Sequence, residues 1–155
     1  MTEPAPPLEI AHLLTERRVA LNLRVRDKRG LISELARLAA SDTPEVGATV
    51  IEQALQARER LGSTGLGAGF ALPHARVEGL HRFVGLFVRL PRPVDFEAID
   101  GKPVHTLFTL LIPAEAADHV GILAAIARRF RDPDLRAKMH AVRTPAEALA
   151  LLTAA

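Results

Sequence analysis

Two apolar segments constrain the fold of this chain more than any other feature. Residues 83–90 are almost continuously apolar, which predicts a strand covered on both faces. Residues 104–112 predict another strand, with Val104, Phe108, Leu110 and Ile112 on one face. The Asp-Gly-Lys-Pro sequence at 100–103 predicts a turn just before it. These strands are too close in sequence for the helical crossover that joins parallel neighbours, so they favour a mixed sheet over a doubly wound one.

Segments with helical or strand-like spacing surround these two strands. Residues 19–25 alternate apolar with polar side chains and predict a half-buried strand. Asp27 is predicted to cap a first helix, and a second helix is predicted to open at Thr43-Pro44 and to end near Gly62. The predicted caps of three further helices are Asp118, Asp132 and Thr144. The predicted apolar stripe of the second helix is Val46, Val50, Ala54 and Leu55, and that of the helix after Asp118 is Val120, Leu123, Ala124, Ala127 and Phe130.

The interspersed order of helices and strands predicts an α/β (α+β) fold, with a mixed parallel and antiparallel sheet flanked by helices. A length of 155 residues suits a single domain, and a domain of this size buries roughly 68–70% of the surface that its unfolded chain exposes. We expect residues 9–153 to form this domain and the Pro-rich residues 1–8 to be a flexible N-terminus.

The composition excludes several classes of protein. The chain has no cysteine, which excludes disulfides, thiolate chemistry and Cys-ligated metals. No signal-peptide pattern is present, and no apolar run approaches the ~18 residues of a membrane-spanning helix, so we expect a cytoplasmic protein without membrane insertion. The formal net charge is +2 and the arginines are spread along the chain, so we expect no nucleic-acid partner.

His74 stands out among the six histidines because of the residues before it. Residues 62–69 contain four glycines, and such loops can bring backbone N–H groups close to a phosphate. Ser63 and Thr64 add hydroxyl donors, and Arg58, Arg60 and Arg76 add cations that can bind phosphate oxygens. These five positions all lie within residues 58–76. Residues 70–73 predict a short strand that ends at His74, where the sheet gives way to surface.

His119 is the second histidine of interest. It follows the predicted cap Asp118 and therefore lies in the first turn of a helix, where unpaired N–H groups favour anions. The sequence alone leaves open whether His119 meets His74 or is only an exposed first-turn residue. His12, His81 and His140 are interpreted as histidines without a task.

Other chemistries fit the sequence less well. His74, His105 and His119 are far apart and lack HxH or HExxH spacing, so no metal site is predicted. Ser63 does not lie in a Gly-x-Ser-x-Gly elbow, and no Gly-Lys-Ser/Thr follows the glycines. A serine hydrolase and a Walker-A nucleotide site are therefore excluded.

The stretch 58–74, from Arg-Glu-Arg through Gly-Ser-Thr-Gly to Ala-Leu-Pro-His, resembles the active-site signature of the mannitol/fructose-type (type 2) enzyme IIA of the bacterial phosphotransferase system. Residues 96–104 are similar to a second stretch of that family, and His119 falls where the family keeps its second histidine. The resemblance covers about residues 10–152. It is strongest to the nitrogen-regulatory enzyme IIA, because no transporter or enzyme IIB domain is fused in this sequence.

The resemblance implies a fold with helices on both faces of the sheet and a site without a cofactor. His74 would carry a phosphoryl group on Nε2, donated by an HPr-like phosphocarrier, and Arg58 and His119 would line the site. Regulated proteins such as transporters or sensor kinases would be the partners. Two departures from the family are Ala75, where glycine is common, and Arg76, where nitrogen-type relatives carry lysine.

Two alternatives remain open at the level of sequence. The chain could be a sugar-specific (fructose/mannitol-type) enzyme IIA that passes phosphate to an enzyme IIB. It could also be a binding module that keeps the fold without transferring phosphate. The downstream partners, the active phosphorylation state and the oligomeric state do not follow from the sequence.

Overall fold

A mixed sheet of six strands organises the computed structural model, which describes residues 9–117 and 119–154. The predicted flexible N-terminus at 1–8 and the predicted cap Asp118 lie outside the described residues. The strands are β1 (Val19–Ala20), β2 (Gly65–Gly67), β3 (Phe70–Ala71), β4 (His74–Val77), β5 (Val84–Val94) and β6 (Val104–Pro113). The helices are α1 (Lys28–Ser41), α2 (Ala48–Arg60), α3 (Val120–Arg131), α4 (Pro133–Ala141) and α5 (Pro145–Thr153), and two short 3₁₀ turns, Ile10–His12 and Glu16–Arg18, precede β1.

The β5–β6 pair is the centre of the sheet, and it is antiparallel as the short connection predicts. β1 runs parallel to β5 on one side. On the other side, β3 and β4 follow one another along the same edge of β6, both parallel to it, and β2 forms an antiparallel hairpin with β3. The predicted mixed parallel and antiparallel sheet is confirmed.

Helices cover both faces of this sheet. One apolar cluster joins α1 and α2 to Leu86, Val88 and Leu107, and a second joins α3, α4 and α5 to Phe87 and Phe108. Neighbouring residues of β5 therefore enter opposite clusters, as alternation along a strand requires. None of the helices in the described residues is long and apolar enough to cross a membrane.

Several helix caps are confirmed. The Asp27 carboxylate accepts a hydrogen bond from the Gly30 amide, and Asp132 does the same for Asp134. The Thr144 hydroxyl accepts from the Glu147 amide. The Glu147 carboxylate accepts from the amide of Arg143 and not from that of Thr144, so Thr144 caps the helix without a complete capping box.

The predicted strand at 19–25 is wrong beyond residue 20. β1 pairs with β5 only at Val19 and Ala20. Beyond them the Arg89 side chain donates from Nε to the Leu21 carbonyl at 3.2 Å. The Leu23 amide donates one long hydrogen bond, of 3.3 Å, to the Arg89 carbonyl. A side chain thus takes the carbonyl that a continued ladder would use.

The predicted start of the second helix is also wrong. Thr43 donates its hydroxyl back to the Ala39 carbonyl at 2.6 Å, and its own carbonyl accepts from the Val46 amide, so Thr43-Pro44 form a turn that closes α1. α2 begins only at Ala48 and ends before Gly62 as predicted. Its buried side chains include Ile51 and Leu55, whereas the predicted stripe residue Val50 is 43% exposed.

The predicted apolar stripe of α3 is displaced around the helix. Its buried residues are Ile122, Ile126 and Phe130, four residues apart, whereas Val120 is 68% exposed. Phe130 sets this phase, because its ring stacks on that of Phe70 with centroids 4.4 Å apart.

Candidate functional site

His74 is the first residue of β4, not the last residue of a strand as the sequence predicted. The interruption lies before it, at Leu72-Pro73, where the chain leaves β3 and then rejoins β6 opposite Leu110. The Pro73 carbonyl accepts a hydrogen bond from the Leu110 amide at 2.9 Å, so the proline takes part in the pairing with β6 as an acceptor. His74 is half-buried at this break.

The His74 ring has one nitrogen engaged by the backbone. Its Nδ1 lies 2.8 Å from the Leu72 carbonyl oxygen. Because a carbonyl can only accept, Nδ1 carries the hydrogen, and the neutral ring then presents a lone pair on Nε2. This is the tautomer that a nucleophile at Nε2 requires.

The surroundings keep this ring neutral. The pKa of His74 lies below its ordinary value of 6.5, chiefly because the ring is buried. The bond to Leu72 and the charge of Glu59 act in the opposite direction, while Arg58 and His119 lower the pKa further, because positive charge near the ring disfavours its protonation.

Arg58 and Arg60 have different surroundings. Arg58 lies in the last turn of α2, half-buried, and donates from Nη1 to the Gly62 carbonyl at 3.1 Å, which holds it at the start of the glycine loop. Arg60 is exposed and lines a groove with Lys28 and Glu97. Of the two arginines predicted at this end of α2, Arg58 is the one whose charge lowers the pKa of His74.

The loop at 62–69 is held by side chains and does not form an open cradle. The Ser63 hydroxyl donates to the Phe96 carbonyl at 2.7 Å and accepts the Gly65 amide. The Ala68 amide donates to Asp100. Gly65 is required for packing, because a Cβ there would lie 2.7 Å from that of Ala98.

Glu59 is a residue of this region that sequence reasoning missed. Its buried carboxylate accepts the Thr64 amide at 3.2 Å and the Thr64 hydroxyl, and it pairs with Lys28 Nζ at 2.9 Å. The signal was the Arg-Glu step at 58–59, where a charge on an apolar-facing helix position needs a partner. Thr64 itself is buried.

The hydroxyl hydrogens of Ser63 and Thr64 are thus both donated within the protein. Their predicted contact with phosphate stays a prediction, and it would require these hydrogen bonds to be exchanged. The predicted cradle of loop amides is corrected for Thr64, Gly65 and Ala68, whose N–H groups already have partners.

Arg76 reaches His119 across the site. It follows His74 by two residues on β4, so the two side chains lie on the same face of the strand. Its Nη1 donates to the carbonyls of Ala114 and Ala116 at 2.9 and 2.8 Å, and its Nη2 lies 3.1 Å from His119 Nδ1. The arginine therefore binds the loop before α3 and positions the histidine at the start of that helix.

His119 caps α3 by its position and not by its side chain. It is the N-cap residue of α3 and its side chain makes no capping bond. Because guanidinium groups only donate, Nδ1 of His119 accepts from Arg76, and the ring hydrogen lies on Nε2. The sequence left open whether His119 meets His74; the structure links the two through Arg76, which lies two residues after His74 on β4 and contacts His119.

Ala75, the other departure from the family pattern, is compatible with the strand β4. It pairs with Leu111, is buried in the α1–α2 cluster and has no positive φ angle. In the described residues no group of three or more His, Cys, Asp or Glu side chains could hold a metal ion.

Comparison with known proteins identifies the family. Residues 12–155 match the family described as "Phosphoenolpyruvate-dependent sugar phosphotransferase system, EIIA 2". The chain is 43% identical to a nitrogen regulatory protein of Bradyrhizobium diazoefficiens over 137 residues, 88% of this chain and 89% of the relative. It is 38% identical to one of Pseudomonas aeruginosa over 143 residues, 92% of each chain.

The fold agrees with this result. The crystal structure of the nitrogen regulatory protein IIA-Ntr from Neisseria meningitidis superposes with a TM-score of 0.87 at 36% identity, covering 93% of this chain and 99% of that chain. The chain therefore belongs to the EIIA type 2 family of the phosphoenolpyruvate-dependent sugar phosphotransferase system, and within it to the group of nitrogen regulatory IIA proteins.

Proposed function

We propose that His74 accepts a phosphoryl group on Nε2 from an HPr-like phosphocarrier, and that the phosphorylation state of this histidine controls the binding of partner proteins. The observation that carries the proposal is the hydrogen bond between Nδ1 of His74 and the Leu72 carbonyl, which leaves the Nε2 lone pair as the nucleophile. Membership of the phosphotransferase family supports the direction of transfer.

The transfer step needs no cofactor. The Nε2 lone pair of His74 attacks phosphorus, the bond between phosphorus and the carrier's imidazole nitrogen breaks, and its electron pair remains on that nitrogen. The product ring of His74 carries phosphorus on Nε2 and hydrogen on Nδ1, and it is cationic. The Leu72 carbonyl then stabilises this charge, and positioning with charge neutralisation supplies the remaining catalysis.

Arg58 and His119 are the groups proposed to bind the phosphoryl oxygens. The Arg58 guanidinium is fixed at the end of α2 by the Gly62 carbonyl and keeps donors free for an oxyanion. His119 can donate from Nε2 because Arg76 occupies its Nδ1. Ser63 and Thr64 hold the loop beside His74 through their hydroxyl hydrogen bonds. In this proposal the two hydroxyls exchange those hydrogen bonds for hydrogen bonds to the phosphoryl oxygens.

Exposed apolar side chains support docking at this end of the molecule. Leu61 at the end of α2 is 83% exposed, and Ile99, whose amide bonds the Gly65 carbonyl, is 86% exposed. Val120, which follows His119 in the sequence, is 68% exposed. We propose that the carrier docks on these three residues, because apolar side chains exposed around a polar site are typical of an interaction surface.

The affinity of this surface for partner proteins would depend on the phosphorylation state of His74. A phosphoryl group adds up to two negative charges beside Arg58, which disfavours partners that need a dry, uncharged contact there. We expect free and phosphorylated forms to differ about 5- to 150-fold in affinity for a regulated protein such as a transporter or sensor kinase, as is usual for such coupling. The expected cytoplasmic location remains a prediction.

The experiment that tests the proposal uses enzyme I, an HPr-like carrier and radiolabelled phosphoenolpyruvate. Phosphohistidine is lost in acid and survives base, so the label on this chain should be acid-labile. It should be absent from His74→Ala and present in His81→Ala, a matched variant of an exposed histidine. Undiminished labelling of His74→Ala would exclude the assigned residue.

A second measurement separates the alternatives that share this fold. A sugar-specific enzyme IIA would pass its label rapidly to a fructose- or mannitol-type enzyme IIB, whereas a regulatory protein should keep it. A binding module without transfer would take up no label at all. Retention of the label in the presence of enzyme IIB is the result that we expect.

A further inference from the structure

A cavity of about 230 Å³ lies away from His74, at the other end of β6. Phe70 on its wall pairs with Thr106, near the start of β6, whereas His74 pairs with Leu110 four residues further along. The cavity is enclosed by β3, β6, the end of α3 and the length of α4. Its polar lining is His105, Thr106, Arg136 and His140, and its apolar lining includes Phe70, Phe130 and Met139.

Arg136 has a buried donor without an acceptor. Its Nε is buried and makes no hydrogen bond to any residue that the structure describes. Buried polar groups are nearly always paired, and an unpaired cationic donor in a protein interior points to a missing anion or water. This nitrogen belongs to a side chain that lines the cavity.

Two histidines line the same wall, and His140 adds an imidazole donor. The rings of His105 and His140 are in contact, with centroids 4.5 Å apart. His105 is locked in place, because its Nδ1 bonds the Thr106 hydroxyl at 2.8 Å and its Nε2 edge lies against Gly69, where a Cβ would come within 2.1 Å. Burial, and then the neighbouring His140 and Arg136, lower the pKa of His105.

The charged side chains that line the cavity are suited to an anion. A neighbouring cavity of about 330 Å³ shares Phe70, Phe130 and Arg136 and adds Arg131 to the lining. Among the described residues that line the two cavities there is no aspartate or glutamate. A ligand with a negative group would therefore meet cationic and imidazole donors on the cavity wall, while its apolar part would meet aromatic rings.

We propose that this cavity binds a small carboxylate, with the carboxylate group on Arg136 and His140 and the apolar part against Phe70, Phe130 and Met139. The cavity is smaller than the ~300–1,000 Å³ typical of pockets for drug-sized ligands, so the ligand is small. Neither Arg136 nor His105 takes part in phosphoryl transfer, and this site is independent of the function proposed for His74.

The test is an NMR titration of the ¹⁵N-labelled full chain with sodium benzoate. Saturable shifts should appear at the Arg136 Nε–H and the ring nitrogens of His140. Benzamide, which has the same ring without the charge, should produce no saturable shift. Arg136→Gln should weaken benzoate binding roughly tenfold or more, because a hydrogen bond to a charged group is lost.

Two further variants control for folding and for general charge. Arg136→Lys keeps the positive charge and should retain measurable binding. Arg128→Gln removes an exposed arginine from the neighbouring helix α3 and should bind benzoate as the unchanged chain does. Shifts that do not saturate, equal affinity in Arg136→Gln and Arg128→Gln, or equal binding of benzamide would each overturn the proposal.

Discussion

The guanidinium of Arg76 donates to Nδ1 of His119 across 3.1 Å, and through it β4 determines which nitrogen of His119 carries the hydrogen. The same guanidinium is held by the carbonyls of Ala114 and Ala116. The sequence suggested Arg76 as a phosphate ligand and left open whether His119 meets His74. The structure assigns Arg76 a positioning role and leaves Nε2 of His119 as the donor.

Replacing Arg76 should therefore act through His119. In Arg76→Met we expect ¹⁵N spectra of His119 to show mixed tautomers in place of one, and phosphorylation of His74 to slow about tenfold, or ~1.4 kcal/mol in the barrier. Arg76→Lys should restore most of both, because an ammonium can also donate to Nδ1. Arg92→Met, an exposed arginine, is the control. An unchanged His119 tautomer in Arg76→Met would disprove the positioning role.

His119 should assist transfer without accepting the phosphoryl group. His119→Ala should slow phosphorylation of His74 by ~10²–10³, the usual effect of removing one donor from developing negative charge. The final extent of phosphorylation should not change. His119→Gln can still donate a hydrogen bond and should be intermediate. Rapid-quench kinetics would measure these rates, and normal rates in His119→Ala would remove the residue from the mechanism.

The fold was predictable where local patterns decide it. Asp27 caps α1, and the closeness of β5 to β6 in sequence forces an antiparallel pair. The start of α2 was not predictable. The Thr43 hydroxyl can cap a following helix or donate back to the Ala39 carbonyl, and the local sequence does not distinguish these two hydrogen bonds.

The site was predictable in part for the same reason. His74 and Arg58 lie in one continuous motif, whose residues share a local pattern. The contact of Arg76 with His119 joins residues 43 positions apart and depends on β4 pairing with the end of β6. Spacing along the chain carries no signal for such a contact. It also does not predict that the Thr64 hydroxyl donates to Glu59, because that hydrogen bond depends on the path of the loop after α2.

Arg58 should lower the pKa of His74 through its charge. In Arg58→Gln, the pKa of His74 should rise toward its ordinary value of 6.5, because a positive neighbour disfavours a protonated ring. Arg60→Gln, two residues along the same helix, should leave it unchanged. NMR titration of the imidazole signals measures both. A His74 pKa that moves equally in the two variants would show a general charge effect in place of proximity.

The lowered pKa of His74 also has a consequence for stability. Because the folded-state pKa lies below 6.5, the unfolded chain binds the proton first as the pH falls. The free energy of unfolding should therefore decrease as the pH falls below about 6.5, and His74→Ala should remove this part of the decrease. Urea denaturation of both proteins at a series of pH values tests it, and identical pH dependence would contradict it.

Glu59 should matter for stability more than its position suggests. Glu59→Ala leaves Lys28 without its partner and the Thr64 amide without an acceptor, so we expect a loss of ~3–5 kcal/mol, as for a broken buried pair. Glu52→Ala, on the same helix but only partly buried, should cost less than ~1 kcal/mol. Urea denaturation compares them, and equal losses would show that the buried carboxylate is not needed.

The central claim is that Nε2 of His74 carries the phosphoryl group, and intact mass spectrometry tests it most directly. After incubation with enzyme I, an HPr-like carrier and phosphoenolpyruvate, the chain should gain the mass of one phosphoryl group. Fragmentation should place that group on His74, and brief acid treatment should remove it. His119→Ala should reach the same final mass more slowly. A normal gain in His74→Ala, or no gain in the unchanged chain with an active carrier, would contradict the account.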